Sequence, residues 1–369
     1  MCLWLKFLTA ILTIIFKEDK TFLKILRFPP QPSTINIVTT KHNTMNRTKT
    51  FLVLILMIIA TAAGAQTFKA GTFIYKVIGK NTVEVSSADS SMSGNVAIPQ
   101  TVRLGDTVYT VTAVAEGGFS GCTGIRSIIL PAKINRIGKE AFLGCRNLNS
   151  INIPYGVKEI NDATFCHCEA LAGLTVPDGV TRIGKYALAH CKNITRFNVP
   201  DACKTIGDKA FYNCQKLQAL VISASVEKIG IRALQNCPEL RRVNVEPENK
   251  FFTSQNDIFY DKAMTTLIKY PGNIDEAMFE MPSSVKTVEE YAFENVKKLL
   301  VVKVSPSCSK IANMAFVNCE KLQKTVCPPS LHQVGMDSFF GCVMLDQNSI
   351  PGDDFTEFDY TKGMVEKYE

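Results

Sequence analysis

Residues 137–159 read IGKEAFLGCRNLNSINIPYGVKE, and the next three lines of 23 are variations on them: INDATFCHCEALAGLTVPDGVTR from Ile160, IGKYALAHCKNITRFNVPDACKT from Ile183 and IGDKAFYNCQKLQALVISASVEK from Ile206. Carried outward, the same line starts again at Val114, Ile229, Val288, Ile311 and Val334. The step is 23 throughout, except for the 59 residues between Ile229 and Val288, which is one row plus 36. Self-similarity at this period means a solenoid, in which each unit hides its apolar side against its neighbours. It overrides the two-domain guess that a length of 369 residues invites.

Each row has a physical reading. Leu148-Asn149-Ser150-Ile151-Asn152-Ile153 has the spacing L-x-x-I-x-I, so Ile151 and Ile153 point inward while Ser150 and Asn152 point outward. One short strand per row follows. Pro closes it in most rows, at Pro131, Pro154, Pro177, Pro200, Pro328 and Pro351, where a residue without an N–H ends the ladder. A second apolar pair, such as Val157 and Ile160, lines the far wall. Gly138 to Phe142, Gly-x-x-Ala-Phe, fits a single helical turn whose Phe plugs the core. Neither piece is stable alone, so stacking has to supply the buried area.

Rows of the form I-G-x-x-A-F-x-x-C-x-x-L-x-x-I-x-I-P resemble the leucine-rich repeats of the BspA-like, treponemal type of bacterial surface and secreted proteins, over about residues 96 to 350. The resemblance implies a β-rich solenoid, a right-handed superhelix with one short strand and one short helical turn per repeat. It also implies a partner site on the concave sheet face. Repeats 1–6 occupy 114–251 and repeats 7–9 occupy 288–350. Residues 66–113 resemble the family's β-rich N-terminal cap, with Asn95-Val96-Ala97-Ile98-Pro99 as the strand of a degenerate first repeat. The insertion, 252–287, predicts a hairpin from Ile258–Asp261 and Thr266–Pro271, then half a repeat at Phe279-Glu280-Met281-Pro282. As a fringe on a regular wall it reads equally as a binding element or a spacer.

Met45 to Gln66, MNRTKTFLVLILMIIATAAGAQ, has a basic start at Arg47 and Lys49, an apolar run too short to span a bilayer comfortably, and the small residues Ala63-Gly64-Ala65. Residues 45–65 therefore read as a signal peptide for export to the cell surface, to the medium or to the periplasm. Residues 1–44 read as an upstream extension from a mis-assigned start, with an uncleaved anchor as the competing reading. The mature chain has no spanning segment in this reading and is expected to be a monomer. Eight basic and two acidic residues precede Gln66, which leaves 33 and 32 in the remainder, a net charge of +1. A nucleic-acid footprint, which needs a strong positive excess, is disfavoured. Residues 351–369 form an acidic tail with Asp353, Asp354, Glu357 and Asp359, without a sorting motif or apolar anchor.

Twelve Cys follow Gln66, and in an exported chain they invite a disulfide framework. The repeat argues otherwise. Eight share one register, Cys122, Cys145, Cys168, Cys191, Cys214, Cys237, Cys319 and Cys342, and the ninth row puts Val296 there. A place that accepts Val asks for a small buried hydrophobe. Stacked side chains about 4.8 Å apart also exceed the ~3.8 Å between the Cβ atoms of a disulfide. Cys166-His167-Cys168 with His190-Cys191 one row later is the candidate zinc site. Yet His167 and His190 share a register filled elsewhere by Gly121, Gly144, Asn213, Asn236, Asn295, Asn318 and Gly341, residues that tolerate left-handed backbone. Turn geometry accounts for them without a metal, and no cofactor is expected.

No nucleophile sits with a base, and no glycine-rich phosphate loop follows a strand, so the chain reads as a non-enzyme. The outward strand positions carry Arg126, Asn152, Arg196, Asn198, Arg241, Arg242, Asn244, Lys303 and Lys324, and none of the 24 such positions in eight rows is acidic. A locally positive strip on a near-neutral body fits an acidic host or extracellular-matrix protein, or a polyanionic glycan. The first expectation is thus protein binding or adhesion. The alternatives are an envelope scaffold without a host ligand, and acidic-glycan binding, the latter weakened by the lack of Trp after residue 65.

Overall fold

The computed structural model describes residues 66–349. The segments read from the sequence as an upstream extension (1–44), a signal peptide (45–65) and an acidic tail (351–369) lie outside the described residues. The array opens on a sheet built from β1 (Thr67–Ala70), β2 (Phe73–Gly79), β3 (Thr82–Ser87), β5 (Thr101–Leu104) and β6 (Thr107–Val114), ordered β1-β2-β3-β6-β5. β6 also pairs in parallel with Arg136–Ile137, so this sheet runs straight into the first coils. It covers what would otherwise be an open edge, with Tyr75, Val83 and Val85 buried beneath it. β4 (Ser93–Ala97) pairs with Gly124–Ile129 on the other wall.

Coils are piled by parallel pairing at constant register: Ile160 lies beside Ile183, Ile183 beside Ile206, and Ile206 beside Ile229. The solenoid is therefore as the repeat requires. Most coils carry two short strands instead of one, because the β-branched residue at each row start forms its own two-residue ladder, as in Arg182–Ile183 and Thr205–Ile206.

Where the sequence predicts a helical turn, the coil has three linked turns. In the Ile183 coil the N–H groups of Ala187, Ala189 and Cys191 donate to the carbonyls of Gly184, Tyr186 and Leu188, each three residues back. Positive φ at Tyr186 (54°) and His190 (60°) breaks any helix. A helix would keep its N–H groups to itself. Here Tyr186, Leu188 and His190 donate along the array to Asp208, Ala210 and Tyr212 at 3.0, 2.9 and 2.7 Å. Left-handed backbone at a residue with a side chain costs about 1 kcal/mol, and the bonds to the next coil offset it.

The core fills with one large side chain per coil. Phe119, Phe142 and Phe165 stack at 5.6 and 5.5 Å between centroids, and Tyr270, Phe293, Phe316 and Phe339 continue beyond the insertion at 4.9, 4.4 and 4.9 Å. The apolar interior divides into two clusters at the insertion. There, Phe252–Gln255, Ile258–Asp261 and Thr266–Lys269 form an antiparallel meander. Its first turn is Asn256-Asp257, with φ of 51° and 65°, the two-residue type that suits tight hairpins. Thr266–Leu267 then pairs in parallel with Thr287–Val288, and Tyr270 donates to Ala292 as Phe119 does to Ala141. Tyr270 thus takes the Phe place of an extra coil. Leu267 stands two residues closer to Tyr270 than Val288 stands to Phe293, so this coil lacks its outer loop.

Candidate interaction face

The outward strand face is three sheets and not one continuous surface: β4 with Gly124–Ile129 and Ser150–Ile151; Arg196–Asn198 with Ala219–Ile222 and Arg242–Val245; and Met278–Glu280 with Val301–Lys303 and Lys324–Val326. The first interruption falls at Ala172–Val176, where Ala172 and Gly173 present too little side chain to hold a ladder. The second is the meander, whose tip lies beside Arg242–Val245, the Val243 N–H donating to the Asp257 carbonyl at 3.0 Å.

Within the middle sheet Arg196 is in register with Ala219, and Ala219 with Arg242, so two arginines flank a row of small side chains. At one strand spacing per coil their Cα atoms are about 10 Å apart. Arg241 adjoins Arg242, while Asn198 and Asn244 border the same trough on either side of Val221. Arg126, Arg196, Arg241, Arg242 and Lys324 are exposed, and none of them takes part in an ion pair among the described residues. Arg196 donates from Nε to the Asn198 side-chain oxygen at 3.3 Å.

Two of the nine residues are less available. The Asn152 amide is engaged at both ends with the Leu130 backbone, accepting from its N–H at 2.8 Å and donating to its carbonyl at 2.9 Å. Lys303 forms an ion pair with Glu280 at 3.3 Å. Glu280 and Asp257 are acids that a reading of whole rows misses, because both lie in the insertion; the strip is acid-free only in its regular coils. The half-repeat could have flagged Glu280, which sits between Phe279 and Met281 as Asn152 sits between Ile151 and Ile153. Apolar side chains also reach this face: Ile129 and Met278 are 62% and 64% exposed.

The twelve Cys among the described residues are all unpaired thiols. Seven of the shared register donate an S–H to the carbonyl of the Phe-register residue one coil back, as in Cys145 to Phe119 at 3.1 Å and Cys191 to Phe165 at 3.2 Å. This is more than a small hydrophobe supplies, since it gives a buried carbonyl a weak donor. Burial pushes these thiols away from the reactive thiolate, Cys145 up to about 12 and Cys168, Cys191 and Cys214 well above the usual value. Of the twelve Cys among the described residues, iodoacetamide labelling of the native protein read by mass spectrometry should therefore modify Cys327 and Cys342, the two half-buried ones, and leave the other ten unlabelled until denaturant is added. Native labelling at Cys191 or Cys214 would show that the coils are open.

His167 and His190 stack at 4.0 Å in a register that has positive φ in every row from Gly121 to Gly341. From that register a ladder of amides runs down the array. Asn236 donates to the Asn213 oxygen at 2.9 Å, and Asn213 donates to His190 Nδ1 at 2.8 Å. Among the described residues no group of three or more His, Cys, Asp or Glu is placed to hold a metal ion. Burial first, and then the charges of His167 and Lys192, hold His190 down to about 4. The unfolded chain, with an ordinary value of about 6.5, binds that proton first, so stability is expected to fall as pH drops from about 6.5 towards 4. His190→Asn should keep the ladder and remove part of this loss. Equal pH dependence of the urea midpoints of the two proteins would show that His190 does not contribute.

Among the described residues no helix is long and apolar enough to cross a membrane. A family model described as a BspA type leucine rich repeat region, six copies, matches residues 100–217, 135–266 and 272–361. No curated protein matches the chain. Solved structures do. The pneumococcal vaccine antigen PcpA is 24% identical over 73% of this chain and 78% of that one, with a TM-score of 0.67. A leucine rich cell surface protein from Faecalibacterium prausnitzii A2-165 is 23% identical, covering 76% and 82%, with a TM-score of 0.66. A leucine-rich repeat protein from Eubacterium ventriosum ATCC 27560 is 22% identical, covering 76% and 71%, at 0.58. At these identities the likeness is one of fold.

Proposed function

The chain belongs to the BspA-type leucine-rich repeat family, and from that premise we propose that it is an exported, non-enzymatic binding protein that engages a protein partner through its outward strand face. The observation that carries the reading is the group Arg196, Arg241 and Arg242, three exposed guanidinium groups without an ion-pair partner around the small residues Ala219 and Val221. Guanidinium groups held on strands present planar, paired donors to carboxylates, so an acidic protein surface is the matching partner. Export rests on the signal-peptide pattern of residues 45–65 and fits the cell-surface and antigen descriptions of the similar structures.

The test is binding of the secreted chain to immobilised extracellular-matrix proteins and to heparin, repeated with R196E/R241E/R242E. Charge reversal at three exposed positions should leave the circular dichroism unchanged and weaken protein binding at least tenfold, about 1.4 kcal/mol. Retained binding would move the site off these arginines, and loss of heparin binding alone would favour a polyanionic glycan.

A further inference from the structure

The missing outer loop of the insertion coil leaves a slot in the wall opposite the strand face. It has a volume of about 450 Å3, in the range of small-ligand clefts. One side is the turn segment Ile231–Gln235 and the other is Glu289–Tyr291, with Phe252, Phe259 and Ile268 lining it between them.

What the slot lacks is visible by comparison with the other coils. In the coil before it, Lys209 and Phe211 donate their N–H groups forward to the carbonyls of Ile231 and Ala233 at 3.0 Å each. The residues in the same register on the slot wall are Arg232 and Leu234, and neither N–H has a hydrogen-bond partner among the described residues. Across the gap, the Glu290 carbonyl holds the place that the Ile231 carbonyl holds one coil earlier, and it accepts no hydrogen bond. Gln235, which lines the slot, has its side-chain oxygen buried without a donor. Two donors spaced i, i+2 on one wall and unused acceptors on the other are what the backbone of a regular coil would satisfy.

We propose that this slot binds an extended peptide segment of another protein, which enters as the absent loop: its carbonyls accept from Arg232 and Leu234, and its N–H groups donate to the Glu290 carbonyl and the Gln235 side chain. This is strand addition applied to a turn ladder. An anion is a poor fit, because Arg232 is already paired with Glu290 at 3.2 Å, Lys269 faces Glu294 at 3.8 Å, and the carboxylates of Asp261 and Glu289 also line the slot. The apolar floor, together with Ile231 at 69% exposure beside it, suits an aliphatic side chain in the middle of the segment. The site is separate from the strand face and does not depend on it.

The probe is N-acetyl-alanyl-leucyl-alanine amide, titrated into the isotope-labelled full chain and followed by amide NMR. The Arg232 and Leu234 amides should exchange rapidly with solvent in the free protein, unlike those of Lys209 and Phe211, and should shift downfield on titration with a millimolar dissociation constant. The same tripeptide with methylated backbone nitrogens should bind at least tenfold more weakly, and R196E/R241E/R242E should bind the unmodified tripeptide as the parent does. Protected Arg232 and Leu234 amides in the free protein would overturn the proposal. So would an absence of shifts at these two positions, or equal shifts with the methylated peptide or with inorganic phosphate.

Discussion

Phe142→Ala is expected to lower the unfolding free energy by about 3–5 kcal/mol. Phe142 is fully buried and lies nearly parallel to Phe119 and Phe165, at interplanar angles of 13° and 4°. Its removal opens a cavity that three coils share, and none of them can close it without losing the strand and turn ladders that fix their spacing. Leu188 occupies the same register in the Ile183 coil, so Phe142→Leu should cost less, about 1.5 kcal/mol. Urea unfolding of the two variants measures both. A cost below about 1 kcal/mol for the alanine variant would mean that the aromatic column does not organise the interior.

The second large effect is expected at the junction of the two core clusters. Lys269 and Glu294 are only 4% and 8% exposed. Lys269 donates to the Tyr291 carbonyl at 2.8 Å, and a Glu294 oxygen accepts the Asn236 N–H at 2.6 Å. Asn236 belongs to the Ile229 coil and Glu294 to the Val288 coil, so this carboxylate substitutes for a backbone carbonyl across the missing loop. Glu294→Leu removes it, leaves the ammonium of Lys269 buried without its counter-charge, and orphans the Asn236 N–H. A loss of about 3–5 kcal/mol follows. The double substitution K269M/E294L should recover much of it, because two buried charges of opposite sign are then gone together. If the double variant is no more stable than E294L, the cost arises from the Asn236 bond and not from the stranded charge. Calorimetry should also show whether the C-terminal cluster then melts apart from the N-terminal one.

The sequence carried the period, the strand positions, the Phe column and the left-handed register at His167 and His190, because each of these restricts residue type. Pro154 after Ile153, Gly144 after Leu143 and Cys145 between them are chemical choices that a row alignment exposes. The second left-handed register was not legible. It holds Gly117, Glu140, Ala163, Tyr186, Lys209, Arg232, Tyr291, Met314 and Asp337, a set in which one glycine is the sole residue type that favours this backbone and the other eight share no chemistry. In most of these rows the N–H reaches forward to the next coil, as Glu140 does to Asp162 and Met314 to Met336, a tertiary property that no single row records; Arg232 keeps the same left-handed backbone without that bond. The same holds for the face. Asn152 looks outward by alternation, but its amide closes onto Leu130, and Glu280 reaches Lys303 only because the half-repeat rejoins the wall. The first strand of the meander had a local signal in Asn256-Asp257, a dipeptide suited to a tight hairpin.

Because turn N–H groups reach forward and row-start N–H groups reach back, as when Gly184 donates to Ile160 while Tyr186 donates to Asp208, the length of this protein is quantised. Gene duplication or recombination that adds or removes 23 residues hands each neighbour an identical set of partners, so the array can lengthen or shrink in evolution without new side-chain invention. Any other increment strands donors, and the one departure from the quantum lies where Arg232 and Leu234 are left without acceptors. Novelty in such a lineage should therefore collect at off-register insertions, while whole rows act as interchangeable spacers that set how far apart those insertions stand.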